Sequence, residues 1–227
     1  MPTVLITGCS RGLGLEFVRQ YSGDGWRVIA TCRHPHLATE LTAIPGEIEI
    51  HSLDVSDFTA VDSMATTLLG TPIDVLILNA GINPQKDATL AETDFESWPN
   101  VMRVNVMAPA KIASAFRPHL AASQIKVVVG ISSQAGSITL NQRGRNFLYR
   151  TSKAGLNMVI TGIARELAEE EIISVSILPG ATRTNMGGPE APRSPEQSVR
   201  DMRRVIANLK IQDSGSFIDF DGQNIPW

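Results

Sequence analysis

The stretch TVLITGCSRGLGLEFVRQYSGDGWRVIATC, residues 3–32, decides the fold. Thr3 to Thr7 and Arg27 to Cys32 are short runs rich in apolar and β-branched residues, so both are predicted to be strands. Between them a glycine-rich turn leads into a helix pattern from Leu15 to about Tyr21, which Gly23-Asp24-Gly25 closes. Strand, helix and strand within about thirty residues indicate a βαβ unit.

The turn between the first strand and the first helix reads Gly8-Cys9-Ser10-Arg11-Gly12-Leu13-Gly14. The amino end of a helix presents unpaired backbone N–H groups and a partial positive charge, and only glycine lets a pyrophosphate approach them closely. A flexible turn is the simpler alternative, but the strand before it and the helix after it favour a dinucleotide site. Its predicted cofactor-binding residues are Gly8, Ser10, Arg11, Gly12, Leu13 and Gly14.

The end of the second strand bears on which dinucleotide is bound. An acidic residue there favours a ribose 2′-hydroxyl, whereas an arginine accommodates a 2′-phosphate. The segment reads Thr31-Cys32-Arg33-His34 and contains no Asp or Glu, and Arg11 lies in the nearby turn. We therefore predict NADP(H) in preference to NAD(H), with Arg33 as a ligand; the alternative is that Arg33 is a solvated loop charge.

Strand and helix patterns alternate along the rest of the chain. Strands are expected over residues 48–53, 73–78, 126–131, 174–178 and 216–220, and helices over 58–69, 92–116, 147–168 and 197–209. Pro99 and Pro109 interrupt the pattern over 92–116, so this helix is expected to bend or to begin late. This alternation predicts a single α/β domain over residues 1–227, a Rossmann-type doubly wound parallel sheet of about seven strands. We expect residues 1–110 to form the cofactor half and residues 111–227 the catalytic and substrate half. Asp54 follows its strand at the edge where ligands of such sheets bind, although a turn or capping role explains it nearly as well.

A second stretch, ISSQAGSITLNQRGRNFLYRTSK, residues 131–153, suggests chemistry. Tyr149 and Lys153 are four residues apart and share one face of the expected helix. A free tyrosine titrates near ~10, and lowering its pKa by ~2–3 units takes roughly 3–4 kcal/mol. A neighbouring ammonium group in a partly dry cleft can supply that, so we expect Lys153 to acidify Tyr149. The simpler alternative is a surface helix with an ordinary tyrosine and lysine.

Composition excludes several classes of protein. The chain has 227 residues, a net charge of −3 and no dense basic run, which argues against nucleic-acid binding. No apolar run is long enough to span a membrane, no signal peptide is apparent, and a cytoplasmic protein is expected. Cys9 and Cys32 are interpreted as reduced thiols near loop ends. His34 and His36 are interpreted as solvent-facing loop residues, and no metal site is expected.

The chain resembles the short-chain dehydrogenase/reductase family over nearly its whole length. The resemblance rests on the order of these motifs: Thr7-Gly8-x3-Gly12-x-Gly14, Asn79-Ala80-Gly81, Asn105, Ser133, Tyr149-x3-Lys153 and Pro179-Gly180. Within the family, YRTSKAGLN, Asn185-Met186-Gly187-Gly188 and GSFIDFDGQNIPW are similar to carbonyl reductases of the C-factor and sniffer type.

The resemblance implies a role for each matched residue. Tyr149 would be the general acid, Ser133 would bind the substrate oxygen, and Asn105 would anchor a water molecule behind Lys153. Lys153 would hold the nicotinamide ribose and lower the pKa of Tyr149. The other implied cofactor ligands are Asp54 and Val55 at the adenine, Asn79, Ala80 and Gly81 at the sugar, and Pro179, Gly180, Thr182 and Thr184 near the carboxamide.

Two departures from the family pattern bear on these roles. Leu78 stands where the family commonly has the first Asn of Asn-Asn-Ala-Gly. The interval from Ser133 to Tyr149 is a few residues longer than usual, so Ser132 is the alternative substrate-binding serine. Successive residues leaving a strand point to opposite sides, and only one of the two can face the site.

The sequence is therefore consistent with two functions. One is an NADPH-dependent reductase of an aldehyde, ketone or quinone, and the other is a signalling or regulatory protein that binds NAD(P) with incidental turnover. Substrate specificity is expected to depend on residues 134–148 and 183–195. Because the segment between Thr184 and the last helix is short, the substrate cleft is predicted to be open. The substrate, the direction of reaction and the choice between monomer and homo-oligomer are left open.

Overall fold

A computed structural model describes all 227 residues and contains one parallel sheet of seven strands. The strand order is β3-β2-β1-β4-β5-β6-β7, which confirms the predicted Rossmann-type doubly wound sheet. The strands are β1 (Thr3–Thr7), β2 (Arg27–Cys32), β3 (Ile48–Ser52), β4 (Val75–Leu78), β5 (Val127–Ile131), β6 (Ile173–Leu178) and β7 (Phe217–Asp219).

Helices cover both faces of this sheet. They are α1 (Gly12–Gly23), α2 (Thr39–Thr42), α3 (Phe58–Thr67), α4 (Trp98–Met102), α5 (Ala108–Ala121), α6 (Phe147–Glu166) and α7 (Pro195–Ala207). Residues of α1 and α7 pack in one apolar cluster with one face of the sheet, and residues of α3, α5 and α6 pack in a second cluster with the other. None of the helices is long and apolar enough to cross a membrane.

The strand order reverses between β1 and β4, and the carboxyl ends of these two strands are joined by side-chain hydrogen bonds. Thr7 Oγ1 accepts from the backbone N–H groups of Asn79 and Ala80 at 3.0 and 3.1 Å. Asn79 Nδ2 donates in return to the carbonyl oxygen of Thr7 at 2.8 Å. This is the switch point at which an open α/β sheet forms a crevice for ligands.

The helix expected over residues 92–116 is not one regular element. Residues Arg103–Met107 form a π-helical turn between α4 and α5, and Asn105 lies at its centre. Pro109 has no N–H group, so it cannot bond the carbonyl of Asn105 four residues earlier. A proline four residues after a polar residue that has partners elsewhere therefore accounts for the π-helical turn.

Candidate active site

The glycine turn leaves the amino end of α1 without a side-chain cap. Gly8 and Gly12 adopt positive φ angles of 74° and 60°, which glycine tolerates readily. Arg11 is the N-cap residue, but its side chain makes no capping hydrogen bond, and no acidic residue lies in the first turn. The unpaired N–H groups and the partial positive charge of the helix are thus available to an anion such as a pyrophosphate.

The three segments around this turn pack backbone against backbone. A Cβ at Gly14 would lie 2.2 Å from the carbonyl oxygen of Gly8 and 2.6 Å from Asn79 Nδ2. A Cβ at Gly8 would lie 3.0 Å from the Cα of Ala80. Asn79 Nδ2 also donates to the carbonyl of Gly8 at 3.2 Å, while Leu78 is buried in the core, so the departure at Leu78 leaves this arrangement intact. The cradle fits a dinucleotide that is bound through main-chain groups.

The side of the crevice at the carboxyl ends of β2 and β3 has two arginines and the turn that follows β3. Arg11 and Arg33 are exposed, and Arg33 directly follows β2. Asp54 Oδ1 accepts from the N–H and the hydroxyl of Ser56 at 2.9 and 2.7 Å, so the turn role foreseen for Asp54 is present. Partial burial raises the pKa of Asp54, but the bonds from Ser56 and the charges of Arg33 and Arg103 outweigh it and hold the pKa below its ordinary value. Val55 is buried beside it.

Tyr149 and Lys153 lie on one side of α6 and close to each other. Lys153 Nζ is 5.5 Å from the centroid of the Tyr149 ring and donates to the carbonyl oxygen of Ile131, the last residue of β5, at 2.7 Å. Lys153 is only 5% exposed, and its burial lowers the pKa of the ammonium group to about 8. The pair therefore lies at the carboxyl end of β5, and β5 is the neighbour of β4, at whose carboxyl end the crevice begins.

The pKa of Tyr149 moves in the direction opposite to the one expected from the sequence. Burial raises it to about 12, and only a hydrogen bond from Ser133 acts against that rise. A nearby cation lowers the pKa of a tyrosine, whereas removing the phenolate from water raises it. For Tyr149 the second effect is the larger one. Without cofactor, the phenol is neutral at physiological pH.

The two candidate serines have different partners and different exposure. Ser132 is 2% exposed, and its hydroxyl donates to Asn157 Oδ1 at 2.6 Å inside the protein. Ser133 is partly exposed, lies within hydrogen-bonding reach of Tyr149, and accepts from the N–H of Ala135 at 3.1 Å. Ser133 is thus the serine that shares the side of Tyr149.

Asn105 connects three parts of the site. Its Oδ1 accepts from the N–H of Ile82, and its Nδ2 donates to the carbonyl of Ile82 and to Ser152 Oγ, each at 2.9 Å. Ser152 Oγ donates in turn to the carbonyl of Tyr149 at 2.8 Å. The side chain of Asn105 thus bonds to the backbone of Ile82 and to the hydroxyl of Ser152, and Pro109 offers no N–H group to its main-chain carbonyl.

The segment after β6 borders the glycine turn. A Cβ at Gly12 would lie 3.5 Å from the methyl group of Thr184. Thr182 is buried, and its hydroxyl lies 2.7 Å from that of Ser198, so this hydroxyl is engaged inside the protein. Gly180 has a φ of 70°, and a Cβ there would lie 2.7 Å from Arg193 Cδ, so the Pro179-Gly180 corner has no room for a side chain.

Three residues of the site were not singled out from the sequence. Asn157 holds Ser132 and donates to the carbonyl of Gly136 at 3.4 Å; its position four residues after Lys153, on the same helix face, was an available signal. Ser152 had no signal of its own. Lys86 Nζ donates to the carbonyl of Asn185 at 2.9 Å. That bond joins the segments after β4 and β6 across the end of β5.

Comparison with known proteins gives a consistent picture. The model of the short chain dehydrogenase family matches residues 2–194. The chain is 36% identical over 165 residues to the C-signal of Myxococcus xanthus, an alignment that covers 73% of this chain and 99% of that protein.

Two solved structures are similar over the whole chain. The carbonyl reductase Sniffer of D. melanogaster has a TM-score of 0.93 and 29% identity, with 100% of both chains covered. An NADPH-bound carbonyl reductase from chicken fatty liver has a TM-score of 0.91 and 30% identity, with 100% of this chain and 99% of that chain covered.

Proposed function

The chain belongs to the short-chain dehydrogenase family and is an oxidoreductase, and we propose that it is an NADPH-dependent reductase of aldehyde, ketone or quinone carbonyl groups. The observation that carries this proposal is the convergence of Ser133, Tyr149 and Lys153 at the carboxyl end of β5, beside an uncapped glycine turn. The similarity to an NADPH-bound carbonyl reductase supports it.

Tyr149, Ser133 and Lys153 each have a separate role in the proposed carbonyl reduction. Bound NADPH would supply a hydride to the carbonyl carbon. Tyr149 donates the proton to the carbonyl oxygen, and its raised pKa keeps that proton in place before the reaction. The Ser133 hydroxyl holds the same oxygen and orients it. Lys153, with a pKa of about 8, exchanges a proton readily near physiological pH and can restore the one that Tyr149 gives up.

The cofactor is held mainly by main-chain groups and arginines. The first turn of α1 receives the pyrophosphate, and the corner at Pro179 and Gly180 with Thr184 borders the nicotinamide. Arg33 and Arg11, both exposed beside the end of β2, receive the 2′-phosphate, because a guanidinium presents a planar fork of donors to phosphate oxygens. We therefore propose that NADPH is preferred over NADH.

The test is NADPH oxidation with a panel of aldehydes, ketones and quinones, using wild type and two matched variants. Tyr149→Phe should lower kcat by about 10²- to 10⁴-fold, the range for loss of a general acid, with the Kd for NADPH little changed. Tyr21→Phe alters the only other tyrosine, which is buried between α1 and α7, and should keep kcat. Equal activity in wild type and Tyr149→Phe across the panel would contradict the proposal.

A second candidate is a signalling or regulatory protein in which turnover is incidental, and the similarity to the C-signal favours considering it. It predicts that a cellular phenotype is rescued equally well by Tyr149→Phe but not by Gly14→Asp, which fills the cofactor cradle. Reduction by wild type at rates typical of enzymes, with a phenotype lost in Tyr149→Phe, would favour the reductase.

A further inference from the structure

Arg103 joins the π-helical turn to the turn that follows β3. Its Nε donates to the carbonyl oxygen of Ser56 at 2.9 Å, and its guanidinium carbon lies 4.1 Å from the centroid of the Phe58 ring. The planar guanidinium therefore has both a directional bond and a stacking contact, which together fix its position.

The turn that Arg103 contacts, Asp54–Asp57, is otherwise held only by local bonds. Asp54 accepts from Ser56, the N–H of Asp57 donates to the carbonyl of Asp54 at 3.0 Å, and Asp57 caps α3 by accepting from Ala60 at 3.0 Å. The bond from Arg103 is the one hydrogen bond that joins residues 54–57 to an element other than the helix they lead into.

This turn lies at the carboxyl end of β3, on the adenosine side of the crevice. Asp54 and Asp57 are exposed, Val55 is buried, and a turn with few external ties has to be ordered when a ligand binds, at a cost in affinity. A contact that holds the turn in one shape before binding removes part of that cost. Arg103 makes this contact, and it lies in the same π-helical turn as Asn105, two residues earlier in the chain.

We infer that Arg103 is a positioning residue for the cofactor: it holds the turn Asp54–Asp57 in the shape that receives the adenosine half of the dinucleotide. The inference rests on the proposed function. Arg103 acts through the turn rather than on the reacting atoms, so its removal weakens binding of the adenosine half and leaves the chemical step unchanged.

The chain offers a matched control for this inference. Lys111 Nζ forms an ion pair with Asp62 Oδ1 at 2.5 Å, and it joins α5, which follows the π-helical turn, to α3, which follows the turn Asp54–Asp57. Lys111→Ala therefore removes a comparable link between these helices without touching the turn. Arg103→Lys keeps the charge but loses the planar group that stacks on Phe58.

The experiment measures the Kd of NADPH, the Kd of adenosine 2′,5′-bisphosphate, which lacks the nicotinamide, and kcat at saturating NADPH. Arg103→Ala should weaken both ligands by the same factor, about 3- to 10-fold, which corresponds to the net contribution of one ordinary hydrogen bond. Its kcat should equal that of wild type, Arg103→Lys should recover only part of the affinity, and Lys111→Ala should behave as wild type.

Other outcomes overturn the inference. Unchanged affinity for adenosine 2′,5′-bisphosphate in Arg103→Ala, or an equal loss in Lys111→Ala, assigns Arg103 a general structural role. A loss confined to kcat places its effect at Asn105 instead. Failure of wild type to bind NADPH overturns the inference and the proposed function together, whereas normal NADPH oxidation by wild type with no effect of Arg103→Ala overturns the inference alone.

Discussion

Lys153 Nζ donates to the main-chain carbonyl oxygen of Ile131 at 2.7 Å, and that carbonyl is the only hydrogen-bond acceptor that the protein offers it. The ammonium is almost fully buried, and burial lowers its pKa from 10.5 to about 8. A charged group with one neutral partner in the interior destabilises the folded state when it is protonated. The residue placed at the centre of the chemistry thus lowers the stability of the fold.

We expect Lys153→Met to be more stable than wild type at pH 7. As pH falls, the unfolded chain takes up its proton near 10.5 and the folded chain only near 8, so wild type loses stability through this window. The full difference is about 3 kcal/mol at ~1.4 kcal/mol per pKa unit, and loss of the bond to Ile131 reduces the gain to about 1–3 kcal/mol.

The measurement is the free energy of unfolding in urea at pH 7 and at pH 10. The advantage of Lys153→Met over wild type should shrink at pH 10, because other titrating groups are common to both proteins. A variant that is less stable than wild type by the same amount at both values would show that Lys153 is not destabilising.

Ser132→Ala and Ser133→Ala should separate stability from catalysis. Ser132→Ala leaves Asn157 Oδ1 buried without its donor and should cost about 1–3 kcal/mol of unfolding free energy, with kcat little changed. Ser133→Ala should lower kcat by about 10²- to 10³-fold, as for loss of a donor to the reacting oxygen, with stability changed by less than about 1 kcal/mol. Thermal unfolding and NADPH-linked kinetics decide between these effects, and the reverse pattern would assign the substrate oxygen to Ser132.

Gly14→Ala and Gly23→Ala compare two glycines of the same helix. The new Cβ at Gly14 would meet the Gly8 carbonyl oxygen and the Asn79 amide, so we expect a loss of about 1–3 kcal/mol and no measurable NADPH binding. Nothing lies within 4 Å of a Cβ at Gly23, and that variant should be up to about 1 kcal/mol more stable and bind normally. Chemical denaturation and fluorescence titration with NADPH test both, and normal binding by Gly14→Ala would rule out the cradle.

Arg33→Ala should change the choice of dinucleotide. Loss of a charged hydrogen bond to the 2′-phosphate is expected to weaken NADPH by about 10- to 100-fold and NADH by less than about 2-fold. Arg27→Ala is a suitable control, because Arg27 lies at the amino end of β2, away from the crevice, and pairs with Glu49. Titrations with both dinucleotides at one ionic strength give the answer; a similar loss for NADPH and NADH would mean that Arg33 does not contact the 2′-phosphate.

The elements that local sequence determines were predictable. The strands β1 and β2 lie at the residues expected, because runs of β-branched and apolar residues between turn signals have few alternatives. The predicted family is confirmed as well, because it depended on the order of several motifs rather than on any one of them.

The features that depend on tertiary contacts were not predictable. The π-helical turn arises from Pro109 together with the bonds that Asn105 makes to Ile82 and Ser152, and spacing alone gives no such information. The raised pKa of Tyr149 reflects burial, which a pair of residues on a helix does not report. The bond between Lys86 and Asn185 joins segments 99 residues apart.

The contact between α1 and α7 has a consequence for how the protein is made. Gln20 Nε2 donates to the carbonyl of Glu196 at 3.1 Å, and the guanidinium of Arg203 lies 4.2 Å from the ring of Tyr21. During synthesis, the apolar side of α1 therefore emerges from the ribosome long before the helix that covers it exists. Contacts so distant along the chain form slowly, and nascent chains with such surfaces are prone to aggregate. We expect the protein to reach its native state only after α7 has been synthesised, and its yield in cells to depend on chaperones during that interval.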